Sequence, residues 1–61
     1  MKRRELLKKL GAAGAVFVRE GGSHTIYLNP ETGVLIVVPR HPEIAEGTAR
    51  KILKEASARK V

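Results

Sequence analysis

The chain has 61 residues and no cysteine, so no disulfide can support its small core. Twelve Lys and Arg against six acidic residues give a formal charge of +6. That balance favours a polyanionic partner (nucleic acid, an acidic protein or an anionic membrane surface), although a solvated basic surface would have the same composition. No apolar run approaches the roughly 20 residues of a membrane span, and Lys8 and Lys9 interrupt any signal-peptide pattern. We therefore expect a cytoplasmic protein.

The first half of the chain predicts a helix followed by a β-hairpin. Residues 2–13 place their apolar side chains on one helical face, and Gly14 is the expected end of the helix. Residues 15–20 and 23–29 have the β-branched and aromatic composition of strands. Gly21-Gly22 between them suits a tight turn that needs positive φ.

The second half of the chain predicts a third strand and a second helix. After a turn that contains Pro and Gly, the apolar run 34–38 indicates a strand that is buried or lies in the middle of the sheet. Two prolines make 39–43 a loop, and 46–58 repeats apolar residues at helical spacing. Residues 59–61 are expected to form a frayed tail.

This order, α-β-β-β-α, predicts an α+β fold like that of double-stranded-RNA-binding domains. A three-stranded antiparallel meander with both helices on one face would bury both apolar helical stripes in one core. No repeat, linker or low-complexity segment interrupts residues 1–61, so we expect a single domain.

Short motifs at near-fixed spacing run along nearly the whole chain. They are Glu5–Leu10, Gly14, Arg19-Glu20, Gly22-Ser23-His24, Ile26-Tyr27, Val38-Pro39-Arg40-His41, Gly47-Thr48 and Ile52-Leu53-Lys54. Taken together, this ordered set resembles the HicA family of toxins from toxin–antitoxin pairs. Two positions depart from the family pattern: Ala15, where an aromatic residue is frequent, and Gly21, where Lys or another polar residue is common.

The resemblance implies the toxin of a type II toxin–antitoxin pair. It implies an endoribonuclease that cleaves mRNA and inhibits translation, with His24 as the catalytic residue and a HicB-type antitoxin as the partner. The fold it implies is the same double-stranded-RNA-binding arrangement that the element order predicts.

The residue inventory narrows the chemistry that such an enzyme could use. The chain has neither Cys nor Asp, which excludes thiol nucleophiles and triads built on Asp. Its six Glu are scattered and suggest no metal cage, so we expect neither a metal nor another cofactor. RNA supplies its own nucleophile, the 2′-hydroxyl, and histidine exchanges protons near neutral pH. His24 is therefore our candidate general acid or base.

Residues near His24 are candidates for supporting roles. Arg19 closes the first strand and is the preferred stabiliser of the charge that develops on phosphorus. Gly22 belongs to the Gly-Ser-His motif that contains His24. Ser23 either orients His24 or contacts phosphate, or is a simple turn residue. His41 is a second proton carrier, an RNA contact or a solvated loop residue.

Two further groups of basic residues remain. Arg50, Lys51 and Lys54 lie toward the start of the second helix, where a double-stranded-RNA-binding fold contacts phosphates, or they form a solvated face. The basic residues of the first helix are expected to be solvated: Lys2, Arg3, Arg4, Lys8 and Lys9. Only two aromatic residues are present, which limits recognition of bases by stacking.

Two other functions fit the same composition. One is a non-catalytic RNA-binding module, which would keep its function when His24 is replaced. The other is a basic domain that binds only protein, whose weak affinity for RNA would be insensitive to salt.

Overall fold

Two helices and three strands follow one another in the predicted order. The computed structural model describes residues 1–59, with α1 at Arg3–Ala12, β1 at Val16–Glu20, β2 at His24–Leu28, β3 at Leu35–Pro39 and α2 at Glu46–Ser57. Element ends differ from the sequence-based expectation by at most one residue, as helix and strand ends commonly do. Of the predicted tail, Lys60 and Val61 lie outside the described residues, while Arg59 donates to the carbonyls of Ser57 and Ala58.

Gly14 ends α1 as expected. Its φ is +98°, a left-handed conformation that glycine adopts without steric cost. Its N–H donates to the Gly11 carbonyl, and the Ala15 N–H reaches back to the Leu10 carbonyl, each at 3.0 Å. This pair of bonds is a Schellman motif, and it turns the chain directly into β1.

The sheet is an antiparallel meander in the order β1-β2-β3, which makes β2 the central strand. Residues along each strand alternate between two faces. On one face Ile36 and Val38 are buried beneath the helices together with Leu6 and Leu10 of α1 and Ile52 of α2. Both helices therefore share one core, and the opposite face of the sheet carries no helix.

β3 corrects the expectation of a buried or central strand. It pairs only with β2 and lies at the edge of the sheet. Leu35 is 58% exposed and Val37 49% exposed, whereas Ile36 and Val38 are fully buried. The run is apolar throughout, but only alternate side chains reach the core, because the other face of the sheet is uncovered.

The glycines between β1 and β2 correct a second expectation. Within residues 1–59, positive φ occurs only at Gly14 and Gly33, so Gly21 and Gly22 do not form a turn that needs it. Gly21 is required for a different reason. Its N–H donates to the His24 carbonyl at 2.7 Å, and a Cβ at this position would lie 2.8 Å from that same oxygen. A side chain there would force the hairpin to move.

Asn29 joins the far end of β2 to the end of α2. It is buried, and its Nδ2 donates to the carbonyls of Glu55 at 2.8 Å and Ala58 at 2.9 Å. Its Oδ1 accepts the Glu31 N–H at 2.9 Å. The side chain thus satisfies carbonyls that the last turn of a helix leaves without partners.

Candidate functional site

His24 is the first residue of β2 and its side chain is exposed. Thr25, the next residue, is buried toward the helices. His24 therefore projects from the opposite face of the sheet, the face that neither helix covers. Its register partner is Pro39, the last residue of β3. The bond from the Gly21 N–H holds the His24 backbone against the hairpin turn. The imidazole is therefore presented to solvent from a backbone that is fixed on two sides.

Arg19 lies beside this hairpin, as expected. It is the register partner of Ile26, which lies two residues after His24 and so projects from the same face of β2. Its Nη1 is 3.5 Å from the position that a Cβ on Gly21 would take. Gly22 and Ser23 are exposed between the two strands. The structure thus brings Arg19, Gly22 and Ser23 to the end of the sheet that carries His24.

A polar network that sequence reasoning missed lies beneath His24, on the helix side. Arg3 Nη2 donates to the hydroxyl of buried Thr25, and this hydroxyl donates to Glu20 Oε1 at 2.9 Å. Arg3 Nε also donates to the Pro39 carbonyl at 3.1 Å. The network connects α1 to all three strands at the His24 end. A polar residue at a core-facing position of a strand was the available signal for Thr25.

Arg40 is a second residue that received no role from the sequence. Its Nη1 donates to the Gly21 carbonyl at 3.4 Å, and its Nε lies 3.8 Å from Glu20 Oε1. Arg40 therefore fastens the segment after β3 to the hairpin. It occupies the unspecified position of the Val-Pro-x-His motif, so the motif gave no signal for it.

The remaining predicted site residues form no hydrogen bond or ion pair with His24 among residues 1–59. His41 is exposed two residues after Pro39, and no hydrogen bond among residues 1–59 joins it to His24. Lys51 lines a groove between α2 and the free edge of β3. Arg50 and Lys54 lie on α2, and no hydrogen bond or ion pair in the described part of the chain joins the three cations to the hairpin. The structure does not bring these three to the His24 site.

The open face of the sheet continues away from His24 as an apolar surface. We define the open face by His24, Ile26 and Leu28 of β2 with their neighbours Leu35 and Val37 of β3. Leu35 and Val37 are about half exposed. Large contiguous apolar patches are rare on the surfaces of soluble monomers, and where they occur they often mark an interaction site.

The resolved pKa shifts lie where the start of the chain meets the start of α2. The Met1 ammonium donates to Glu46 Oε2 and lies 3.3 Å from Glu43 Oε2. The hydrogen bond with Glu46 raises the pKa of the ammonium above 8.0 and lowers the pKa of the Glu46 carboxyl below 4.5. This contact links two segments that are distant in the sequence.

Neither a metal cluster nor a membrane-spanning helix is present among residues 1–59. No three or more His, Cys, Asp or Glu side chains in this range are grouped so that they could hold a metal ion. None of the helices in the same part of the chain has the length and apolar composition to cross a membrane.

The molecule is thus a small, basic α+β protein whose exposed histidine stands at the end of an uncovered sheet. The family described as the HicA toxin of bacterial toxin–antitoxin systems matches residues 3–58, almost the whole chain. The protein belongs to the HicA toxin family, and membership implies a cognate antitoxin. No curated protein and no solved structure matches the chain.

Proposed function

We propose that this toxin is an endoribonuclease that cleaves mRNA and inhibits translation, with His24 as its general acid or base. The observation that carries the proposal is the presentation of His24. Its side chain is exposed on the open face, while the bond to Gly21 and the network through Thr25 anchor its strand. A proton carrier needs both access to the substrate and a fixed orientation.

The chemistry follows from RNA itself. The 2′-oxygen attacks the adjacent phosphorus as its proton is removed, the bond from phosphorus to the 5′-oxygen breaks, and that oxygen leaves with a proton. The products are a 2′,3′-cyclic phosphate and a free 5′-hydroxyl. His24 carries one of the two protons; His41 or solvent carries the other. Arg19, beside the hairpin, stabilises the charge that builds on the phosphoryl oxygens.

Replacement of His24 tests this proposal. We expect His24→Ala to lower the cleavage rate by about 10²- to 10⁴-fold, the usual contribution of a general acid or base, and to abolish growth arrest on expression. Growth and mRNA integrity are followed together in a bacterial host, and circular dichroism shows that the variant is folded. Lys8→Ala, on the exposed surface of α1, is the control and keeps both effects.

The same experiment addresses the non-catalytic alternative. If wild type and folded His24→Ala arrest growth equally and leave mRNA intact, the ribonuclease assignment is wrong. RNA binding without cleavage then becomes the better explanation of the basic charge and the fold.

We further propose that the antitoxin is of the HicB type and covers the open face together with His24. The apolar side chains of this face and the imidazole lie on one continuous surface, so a single partner can bury both. The formal charge of +6 favours an acidic partner. Coverage would inhibit the toxin by blocking His24, and it would also stabilise a small fold by mass action.

A charge placed on the open face tests this coverage. We expect Val37→Glu to weaken antitoxin binding by about tenfold or more, equivalent to about 1.4 kcal/mol, because a carboxylate would have to lose its water in an apolar part of the interface. The variant should arrest growth even when the antitoxin is co-expressed. Ala12→Glu adds the same charge on the exposed side of α1 and should be neutralised normally. Equal antitoxin affinity for the two variants would assign the interface to another surface.

A further inference from the structure

A basic cleft lies at the start of α1. Its volume is about 410 Å³, and its walls are formed by Lys2, Arg3, Arg4 and Pro42. The composition predicted that these cations would be a solvated face of the helix. Lys2 and Arg4 are indeed exposed, and the structure places them with Arg3 around one concave surface.

The cations of this cleft form no ion pairs among the described residues. Within residues 1–59, neither Lys2 nor Arg4 forms an ion pair with an acidic side chain, and Arg3 donates to two neutral acceptors. Glu43 follows Pro42 in the sequence, but its carboxylate lies 3.3 Å from the Met1 ammonium. The cleft therefore offers an anion the exposed donors of Lys2 and Arg4.

The cleft and His24 lie at the same end of the molecule. Arg3 Nε donates at 3.1 Å to the carbonyl of Pro39, and Pro39 is the register partner of His24. Register partners in antiparallel strands have Cα atoms about 4.5–5.5 Å apart. The cleft is on the helix side of this end of the sheet, and the imidazole projects from the open face. A strand that contacts both therefore passes around the end of the sheet at Pro39.

We propose that this cleft binds a backbone phosphate of the same RNA strand that is cleaved at His24. The inference rests on the proposed ribonuclease function and adds a substrate subsite to it. Lys2 and Arg4 supply the charge-assisted hydrogen bonds that a phosphodiester accepts. Arg3 forms the shared wall, because its Nε is bound to the strand that pairs with His24. A phosphate held there anchors the RNA strand where it passes around the end of the sheet toward the imidazole, without reading any base.

Two matched double variants test the cleft. Lys2→Gln with Arg4→Gln removes two charges from it, and Lys8→Gln with Lys9→Gln removes two charges from the exposed surface of the same helix. Binding of a single-stranded RNA carrying 2′-O-methyl groups, which block cleavage, is measured with the full chain over a range of salt concentrations. For each phosphate that the protein no longer neutralises, the salt slope should fall by about 0.7.

Cleavage of the unmodified RNA by the same proteins gives the second readout. The cleft variant should reduce the salt slope of binding by about 0.7 to 1.4, for one or two phosphates, and should raise KM for cleavage with kcat changed less than KM. The Lys8 and Lys9 variant should stay closer to wild type in both. Circular dichroism confirms that both variants are folded.

Three outcomes separate the two proposals. Equal salt slopes and equal KM for the two double variants would overturn the cleft assignment while leaving the ribonuclease intact. A cleft variant that loses affinity for the acidic antitoxin and keeps its affinity for RNA would also overturn it, because the cleft would then bind protein carboxylates. Absence of cleavage by the wild type would count against the proposed function itself, whatever the double variants do.

Discussion

Two buried polar side chains, Thr25 and Asn29, form hydrogen bonds at the two ends of the central strand, β2. Thr25 accepts from Arg3 and donates to Glu20 at the end that carries His24. Asn29, just after β2, reaches the last carbonyls of α2 at the other end. Buried polar groups are tolerated only when they are hydrogen-bonded, and both of these are. The hydrogen bonds of Thr25 therefore hold the start of α1 against the sheet, and those of Asn29 hold the end of α2 against it.

Replacement of Asn29 should be costly for its size. Asn29→Ala removes the donor that serves the buried end of α2, and we expect a loss of about 1–3 kcal/mol in the free energy of unfolding. Denaturant unfolding followed by circular dichroism measures this loss. Thr32→Ala, which removes a hydroxyl that accepts the Val34 N–H at an exposed turn, should change stability by less than about 0.5 kcal/mol. Similar values for the two variants would show that Asn29 does not hold α2 in place.

At the scale of elements, the helices were more predictable than the strands that surround the site. The apolar stripe of α1 and its end at Gly14 follow from local sequence, because helical spacing and a left-handed glycine are local properties. Strand position is not local. The apolar run of β3 gave no sign that the strand lies at an edge, because its outward residues are apolar as well. Gly21 is likewise explained only by the close approach of the His24 carbonyl across the hairpin.

The uncovered sheet and the contact between Met1 and the start of α2 are properties of the whole molecule. Both helices pack on one face, and none of the elements in residues 1–59 forms a layer over the other. The start of the chain is held against α2 by the Met1 ammonium, through Glu46 and the carbonyl of Ile44. This interaction joins segments that are distant in the sequence, and its strength depends on the charge of both groups.

Stability should therefore have a pH window set by this pair. The raised pKa of the ammonium means that its contribution is fully present below pH 8.0 and is lost as pH rises through the folded value. The lowered pKa of Glu46 means that its contribution is present above pH 4.5 and is lost as pH falls through the folded value. The denaturation midpoint, measured across both limits on protein with a free Met1 amine, should be highest between them. Glu46→Gln should flatten this profile, and an unchanged profile in that variant would contradict the assignment.

The sequence by itself determined the order of elements, the apolar faces of both helices, the family and the candidate histidine. These features depend on local spacing and on short motifs, which the linear chain contains in full. Only the tertiary structure decided that β3 is an edge strand, that Arg3, Thr25, Glu20 and Pro39 form one network, and that Lys2 and Arg4 line a cleft beside that network. Each of these depends on contacts between residues far apart in the chain, and sequence periodicity carries no information about which distant residues meet.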